Sequence, residues 1–198
     1  MKNKAIFLDR DGVINEIVYH KEMGILDSPS NPKEFKLLLD VGKAINKFHE
    51  LGFKVIVASN QPGIAKGKFT LKIFEQIKNK MKKELAKTNS FVDAEYYCLH
   101  HPEGKIKRYA MICKCRKPKP GLILKAAEEK DIDLKNSWMI GDGITDIQAG
   151  ATAGCKTILI GRMKCELCNL MEDVGVKPDF IALNLYKASL IIEKEVRK

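Results

Sequence analysis

The chain has 198 residues, a length typical of one domain, and 45% of them are hydrophobic, which excludes a disordered protein. Its formal net charge of +10 suits an anionic ligand, although thirty of its 35 basic residues are lysine, which speaks weakly against a sequence-specific reader of DNA. No apolar run approaches the roughly 20 residues of a membrane span, and the run Ala5 to Leu8 is too short for a signal peptide. We therefore expect one cytoplasmic domain over residues 1–198 with no membrane partner.

Strand-like and helix-like patterns alternate along the chain. In chain order they predict strand 5–8, helix 41–51, strand 54–58, helix 70–87, strand 95–98, helix 120–130, strand 138–140, helix 146–153, strand 157–160, strand 179–182 and helix 185–196. Continuous apolar strands that alternate with helices are typical of a parallel sheet covered on both faces. We expect a Rossmann-like, doubly wound α/β fold, whose ligand would lie beyond the carboxyl ends of the strands.

Two carboxylates follow the first predicted strand in the sequence Asp9-Arg10-Asp11-Gly12. In extended backbone, side chains two residues apart point to the same side, so these carboxylates would repel each other unless they share a cation or a proton. The functional interpretation is a Mg²⁺ site with one aspartate as the nucleophile. The alternative is a polar turn in which Gly12 supplies the bend.

Polar side chains also follow the second and fourth predicted strands. Ser59, Asn60 and Gln61 offer hydroxyl and amide groups to phosphate oxygens, or else form a turn and a helix cap. After the fourth strand comes Gly141-Asp142-Gly143-x-x-Asp146, which brings either a third carboxylate to the same site or an aspartate that caps the next helix. Each motif alone is modest, but successive strands of one sheet would bring them together.

A cluster of metal-ligand residues follows the third strand. Cys98 and His100 are separated by one residue, as are Cys113 and Cys115, and together they make a Cys₃His set typical of structural zinc. His101 is adjacent and could compete with His100 as the ligand. The alternative is two buried cysteines and two incidental ones.

The metal-binding loop, about residues 98–115, is long and polar and needs a cross-link to hold its structure, which a bound zinc ion would supply. Residues 104–119 hold seven basic side chains and no acidic one. Such a run is usually a solvated face, but here prolines restrict the backbone and zinc would fix Cys115. That would position Arg116 and Lys117 to meet a dianion.

The order of these motifs resembles the haloacid dehalogenase superfamily of phosphohydrolases, and within it the branch of the D-glycero-D-manno-heptose 1,7-bisphosphate and histidinol-phosphate phosphatases. The resemblance spans roughly residues 5–160 and rests on the stretches 7–15, 59–67, 98–104, 113–121 and 140–142. Its Cys-x-His-His-Pro and Cys-x-Cys-Arg-Lys-Pro elements are specific to this branch, whereas the others are common to the superfamily.

The resemblance implies a Mg²⁺-dependent phosphomonoesterase with almost no cap domain. Asp9 would attack phosphorus and form an aspartyl-phosphate, while Asp11 would protonate the leaving alcohol and then activate water. Mg²⁺ would lie on Asp9, Asp142 and the backbone carbonyl of Asp11. Ser59 and Lys117 would hold the transferring phosphoryl oxygens.

The resemblance also implies the substrate-binding residues and the second metal. Asn60 and Gln61 would line the phosphate pocket, and Arg116 would help to select the substrate through its second phosphate or a sugar hydroxyl. Zn²⁺ would be structural and would be held by Cys98, His100, Cys113 and Cys115. The expected partner is a small phosphorylated sugar, without nucleic acid, and the protein is expected to be a monomer.

Two departures from the family leave alternatives open. The heptose enzymes carry a lysine directly after the aspartate of the last motif, where this chain has Gly143. Heptose bisphosphate remains the favoured substrate, and histidinol phosphate or a polynucleotide 3′-phosphate are alternative substrates on the same scaffold. The non-enzymatic alternative is a binding module that zinc holds together and that has no catalytic activity. Cys165 and Cys168 form a second close pair, which we interpret as ordinary thiols.

Overall fold

The computed structural model describes residues 2–20, 24–161 and 175–197. Its elements are β1 (Lys4–Leu8), β2 (Val18–His20), β3 (Ile25–Asp27), α1 (Val41–Glu50), β4 (Phe53–Asn60), α2 (Leu71–Ala86), β5 (Ala94–Cys98), α3 (Gly121–Lys130), β6 (Trp138–Gly141), α4 (Ile144–Ala153), β7 (Lys156–Ile160), β8 (Phe180–Ala182) and α5 (Leu185–Val196). Short 3₁₀ turns lie at Lys107–Tyr109 and Leu134–Asn136. Within these ranges, no helix combines the length and the apolar character needed to cross a bilayer.

Six strands form one parallel sheet in the order β5-β4-β1-β6-β7-β8. In its centre, Ile6 of β1 lies opposite Val55 of β4 on one side and Trp138 of β6 on the other. This arrangement confirms the predicted parallel sheet, and it explains why the central strands consist of continuous apolar residues, since both of their faces are covered.

Helices cover both faces of the sheet, which confirms the doubly wound fold. Ile6 and Leu8 face α1, α2 and α5, whereas Ala5 and Phe7 face α3 and α4. The alternation follows from the two-residue period of a strand. Each of these side chains is fully buried, and burying one the size of Leu8 stabilises the fold by about 2 kcal/mol.

The structure differs from the sequence prediction in three places. A small antiparallel hairpin, β2–β3, was not predicted because its three-residue strands carry no clear alternation of apolar and polar residues. The hairpin lies between β1 and α1, and its small size agrees with the prediction of a minimal cap.

Two elements are longer than predicted. β4 extends to Asn60, so Ser59 lies within the strand, and α4 begins two residues before Asp146. Cys165 and Cys168 lie outside the described residues.

The strand order fixes where a ligand can bind. The chain leaves β1 toward β4 on one side, and β6 later returns to the opposite side of β1. The connections therefore diverge between β1 and β6, and a crevice opens there beyond the carboxyl ends of the strands.

Candidate active site

Three carboxylates meet in the crevice between β1 and β6. Asp9 directly follows β1, Asp142 directly follows β6, and Asp146 lies in the first turn of α4. One oxygen from each lies within 4.8 Å of the others. The Asp9 amide donates to the carbonyl of Ile140, 3.0 Å away, and so ties the two strand ends together.

Two glycines allow these carboxylates to approach the backbone. Gly12 has φ +80°, and a Cβ there would lie 2.1 Å from Oδ2 of Asp142. A Cβ on Gly141 would lie 2.2 Å from Cβ of Asp146. Both positions thus lack a side chain because a carboxylate-bearing residue occupies the space.

Lys117 forms ion pairs with two of the three carboxylates. Its Nζ lies 3.0 Å from Oδ1 of Asp9 and 2.5 Å from Oδ1 of Asp146, and it donates to the carbonyl of Ala58 at 2.8 Å. The contact with Ala58 is a hydrogen bond, and the contacts with the two carboxylates are ion pairs of the buried ammonium. Burial by itself lowers the pKa of Lys117, but the charges of Asp146 and Asp9 outweigh it and raise this pKa above its ordinary value.

The three carboxylates carry more negative charge than Lys117 neutralises. Burial, together with the neighbouring charges of Asp9 and Asp146, raises the pKa of Asp142 to about 7. Burial and the charge of Asp9 also raise the pKa of Asp146, against the opposing effect of Lys117. Crowded carboxylate oxygens of this kind fit a hard divalent cation such as Mg²⁺.

The Asp11 carboxylate turns toward other partners. It accepts hydrogen bonds from the Arg10 guanidinium at 3.1–3.2 Å, from Nδ2 of Asn15 at 2.9 Å and from Nε2 of Gln61 at 2.7 Å. Burial raises the pKa of Asp11, but the Arg10 charge and the hydrogen bonds prevail and lower it. The two carboxylates of Asp9 and Asp11 therefore occupy different electrostatic environments despite their spacing.

The side-chain amides of Asn60 and Gln61, which were predicted to line the phosphate pocket, bond to protein groups. Gln61 is fully buried and donates to Asp11 and, at 3.1 Å, to the hydroxyl of Ser59. Asn60 accepts from the backbone N–H of Lys117 and donates to its carbonyl, both at 3.0 Å. Both amides thus bond to protein groups of the site, and their contact with phosphate stays a prediction.

The Cys/His set comes together as the spacing predicted. The Cys115 sulfur lies 3.3 Å from those of Cys98 and Cys113 and 3.4 Å from Nδ1 of His100, and the remaining Cys98–Cys113 distance is 3.6 Å. Sulfur ligands at 2.3 Å around a tetrahedral ion would be about 3.8 Å apart, so the four groups can hold one metal ion.

His101 does not join this cluster. Its Nδ1 accepts the backbone N–H of Glu103 at 3.1 Å, and its own backbone N–H bonds to Tyr109. The loop then packs on the segment after β4 through a bond from the Ile106 N–H to the carbonyl of Ala65. Arg116, directly after the last cysteine, donates to the carbonyl of His100 at 3.4 Å. The metal-binding loop is thereby joined to the residue before Lys117.

Sequence reasoning did not include Asp146, Arg10 or Asn15 among the site residues. The sequence did carry an indication for Asp146, because its spacing after Asp142 places it in the first turn of the next helix. In the structure its Oδ2 accepts the N–H of Gly143 at 3.0 Å. Nothing in the sequence indicated the burial of Arg10, since arginine is rarely fully buried.

The chain is similar to known phosphatases. A family model described as HAD-hydrolase-like matches residues 114–188. The D-glycero-beta-D-manno-heptose-1,7-bisphosphate 7-phosphatase of Escherichia coli K12 is 39% identical over 158 residues, which are 80% of this chain and 78% of that protein. The protein of the same name from Helicobacter pylori is 40% identical over 159 residues, 80% of this chain and 83% of that protein.

A solved structure agrees over nearly the whole chain. The D,D-heptose 1,7-bisphosphate phosphatase from B. bronchiseptica, complexed with magnesium and phosphate, is 30% identical and superposes with a TM-score of 0.78, covering 97% of this chain and 99% of that one. Identity near 40% over four-fifths of the sequence, on the same sheet, is a family relationship. The chain therefore belongs to the haloacid dehalogenase superfamily, in the family of the heptose bisphosphate phosphatases, and it is a phosphatase.

Proposed function

We propose that this phosphatase removes the 7-phosphate of D-glycero-β-D-manno-heptose 1,7-bisphosphate in the cytoplasm, with Asp9 as its nucleophile. The observation that carries the proposal is the different exposure of the clustered groups. The Asp9 side chain is 16% exposed, whereas those of Lys117 and Asp146, which contact each other, are 2% and 3% exposed. Asp9 is thus a carboxylate that a phosphate can reach while a buried cation orients it.

In the first step, an oxygen of Asp9 attacks phosphorus and the bond from phosphorus to the sugar oxygen breaks. The departing oxygen takes a proton from Asp11, which leaves an aspartyl-phosphate, a free hydroxyl and an ionised Asp11. In the second step, Asp11 takes a proton from water as the water attacks phosphorus. The products are inorganic phosphate and a regenerated Asp9.

Asp9, Asp142 and the backbone carbonyl of Asp11 would hold Mg²⁺, and the raised pKa of Asp142 supports a cation at this point. When bound, the ion offsets the repulsion between the nucleophile and the phosphate dianion. Lys117 places a further positive charge 3.0 Å from Asp9, where it would bind a transferring phosphoryl oxygen together with the Ser59 hydroxyl. Asp146 orients Lys117.

Arg116 would bind the second phosphate of the substrate. Burial, and then the positive charges of Lys66 and Arg116, lowers the pKa of His101, which indicates that these basic groups lie close together beside the loop. Such a basic rim favours a bisphosphate over a monophosphate. The amides of Asn60 and Gln61 act indirectly, by holding Lys117 and Asp11.

We assign the second metal as structural Zn²⁺ on Cys98, His100, Cys113 and Cys115. Three thiolates and one imidazole are the ligands that zinc prefers, and four protein ligands complete its tetrahedral shell. Zinc would then hold the loop that carries Arg116 and would take no part in the chemical step.

The test is phosphate release, with Mg²⁺ and with EDTA, from both anomers of the heptose bisphosphate, from histidinol phosphate, from fructose 1,6-bisphosphate and from a 3′-phosphorylated oligonucleotide. We expect the highest kcat/KM on the β-anomer and no activity in Asp9→Asn or in EDTA. Preference for another substrate that is abolished in Asp9→Asn would retain the mechanism and refute the substrate. Activity that persists in Asp9→Asn would refute the nucleophile.

A further inference from the structure

We infer that Arg10, Asn15 and Gln61 form a clamp that fixes Asp11 with one oxygen, Oδ2, directed to carry the proton of the reaction. The inference rests on the proposed function, because it presumes that Asp11 is the general acid. The clamp residues contact Asp11 and no reacting atom, so they are positioning residues. They distinguish Asp11 from Asp9, which lacks such a set of neutral and cationic donors among the described contacts.

The donors are distributed unequally over the two oxygens of Asp11. Oδ1 accepts from Nε and Nη2 of Arg10, each at 3.1 Å, and from Nδ2 of Asn15 at 2.9 Å. Oδ2 accepts from Nε2 of Gln61 at 2.7 Å and shares Nη2 of Arg10 at 3.2 Å. Oδ1 therefore has three donor contacts, whereas Oδ2 has one close donor and a longer contact to a guanidinium nitrogen that it shares with Oδ1. Oδ2 is the less heavily bonded oxygen, so a proton on Asp11 meets less competition there.

The clamp itself is rigid because its members are buried. Arg10, Asn15 and Gln61 each have 0% exposed surface, whereas the Asp11 side chain is 13% exposed. The ring of Phe74 lies over the Arg10 guanidinium, with 5.9 Å from its centroid to Cζ. Burying a guanidinium completely is costly, and the charged partner that compensates for it is Asp11.

The backbone reinforces this arrangement. The N–H groups of Ile14 and Asn15 bond to the carbonyl of Arg10 at 2.8 and 3.1 Å, and the Gly12 N–H bonds to the carbonyl of Asn15 at 2.8 Å. This turn places Asn15 opposite Asp11. Gln61 arrives from β4, where its N–H bonds to the carbonyl of Cys98 at 2.7 Å. Two separate segments of chain therefore converge on one carboxylate, which a structural ion pair alone would not require.

Loss of the clamp should matter only when the leaving group needs a proton. As the Asp9–phosphorus bond forms and the phosphorus–oxygen bond breaks, a sugar alkoxide must receive the Asp11 proton, whereas p-nitrophenolate can leave without one. General acid catalysis contributes roughly 10²–10⁴-fold, and a 1 Å displacement of a catalytic group costs about 10²-fold. A displaced Asp11 should therefore slow an alkyl phosphate much more than an activated aryl phosphate.

The experiment measures kcat/KM for the heptose bisphosphate, phenyl phosphate and p-nitrophenyl phosphate in Arg10→Lys, which keeps the charge but loses the fork, and in Gln61→Met, which loses one donor at similar size. We expect Arg10→Lys to lose at least about tenfold on the heptose bisphosphate and less than about threefold on p-nitrophenyl phosphate. The ratio of the two values is independent of the fraction of protein that folds. Phe48→Leu, in the core on α1, is the control for destabilisation and should leave the ratio unchanged.

The outcomes separate this inference from the proposed function. Asp11→Asn should show the same dependence on leaving-group basicity, more strongly. If Asp11→Asn shows it but Arg10→Lys and Gln61→Met lower all three substrates equally, the clamp is structural only and the inference is wrong. If Asp11→Asn also lowers all three equally, the acid role of Asp11 fails, and the clamp fails with it. If all of these variants show the dependence, the positioning role is supported.

Discussion

Replacing Gly12 by alanine should disable the site without unfolding the protein. The new Cβ would lie 2.1 Å from Oδ2 of Asp142, whereas ordinary contact begins near 3.4 Å, so the carboxylate must retreat by about 1.3 Å. A displacement of this size costs about 10²-fold in kcat/KM when it affects a group that holds the reacting centre. Because φ is +80°, alanine also adds backbone strain of about 1–2 kcal/mol.

Gly52→Ala is the matched control for this experiment. Gly52 has φ +79° and no atom within 4 Å of the added Cβ, so it introduces the same backbone strain without the clash. Both variants should lose similar stability in thermal unfolding, but only Gly12→Ala should lose activity and bind Mg²⁺ more weakly in calorimetry. Equal activity of the two variants would refute the reasoning, because the position of the Asp142 carboxylate beside Gly12 would then not affect catalysis.

Three further predictions concern the metals and the substrate. Cys113→Ser should release zinc, measured by atomic absorption, and lower stability by about 3 kcal/mol, the value for a cross-link of similar loop length, or roughly 6–12 °C in Tm, while kcat changes little. The pKa of Asp142 is raised to about 7, so protons compete with Mg²⁺ for this carboxylate, and the Mg²⁺ affinity should fall about tenfold per pH unit below 7. For the same reason the metal-free protein should lose stability as pH rises from about 4 to 7, because the folded state then holds a proton that the unfolded state has released. Asp142→Asn should abolish both effects. In Gly143→Lys the new Cβ would lie 3.3 Å from Oδ2 of Asp146, so that carboxylate must shift slightly. The added lysine should raise kcat/KM on the heptose bisphosphate about tenfold through a charged hydrogen bond to phosphate, and an unchanged value would show that Gly143 does not limit specificity.

The sequence by itself determined the sheet and the edge at which the site lies. Apolar strands such as Ala5–Leu8 must be covered on both faces, and parallel strands place their carboxyl ends at one edge, so Asp9 and Asp142 were expected to meet there. The Cys/His spacing likewise predicted a metal cluster, because four ligands in two close pairs need only one loop to bring them together.

Only the tertiary structure decided how the polar side chains are used. The choice of His100 over His101 depends on which ring faces the cysteines, and the assignment of Asn60 and Gln61 to Lys117 and Asp11 depends on contacts across 57 and 50 residues of sequence. Local pattern does not encode such contacts, because an amide bonds equally well to a phosphate, a carboxylate or a backbone group. Which partner it meets is set by the packing of β4 beside β1, where burial makes each unpaired polar group costly.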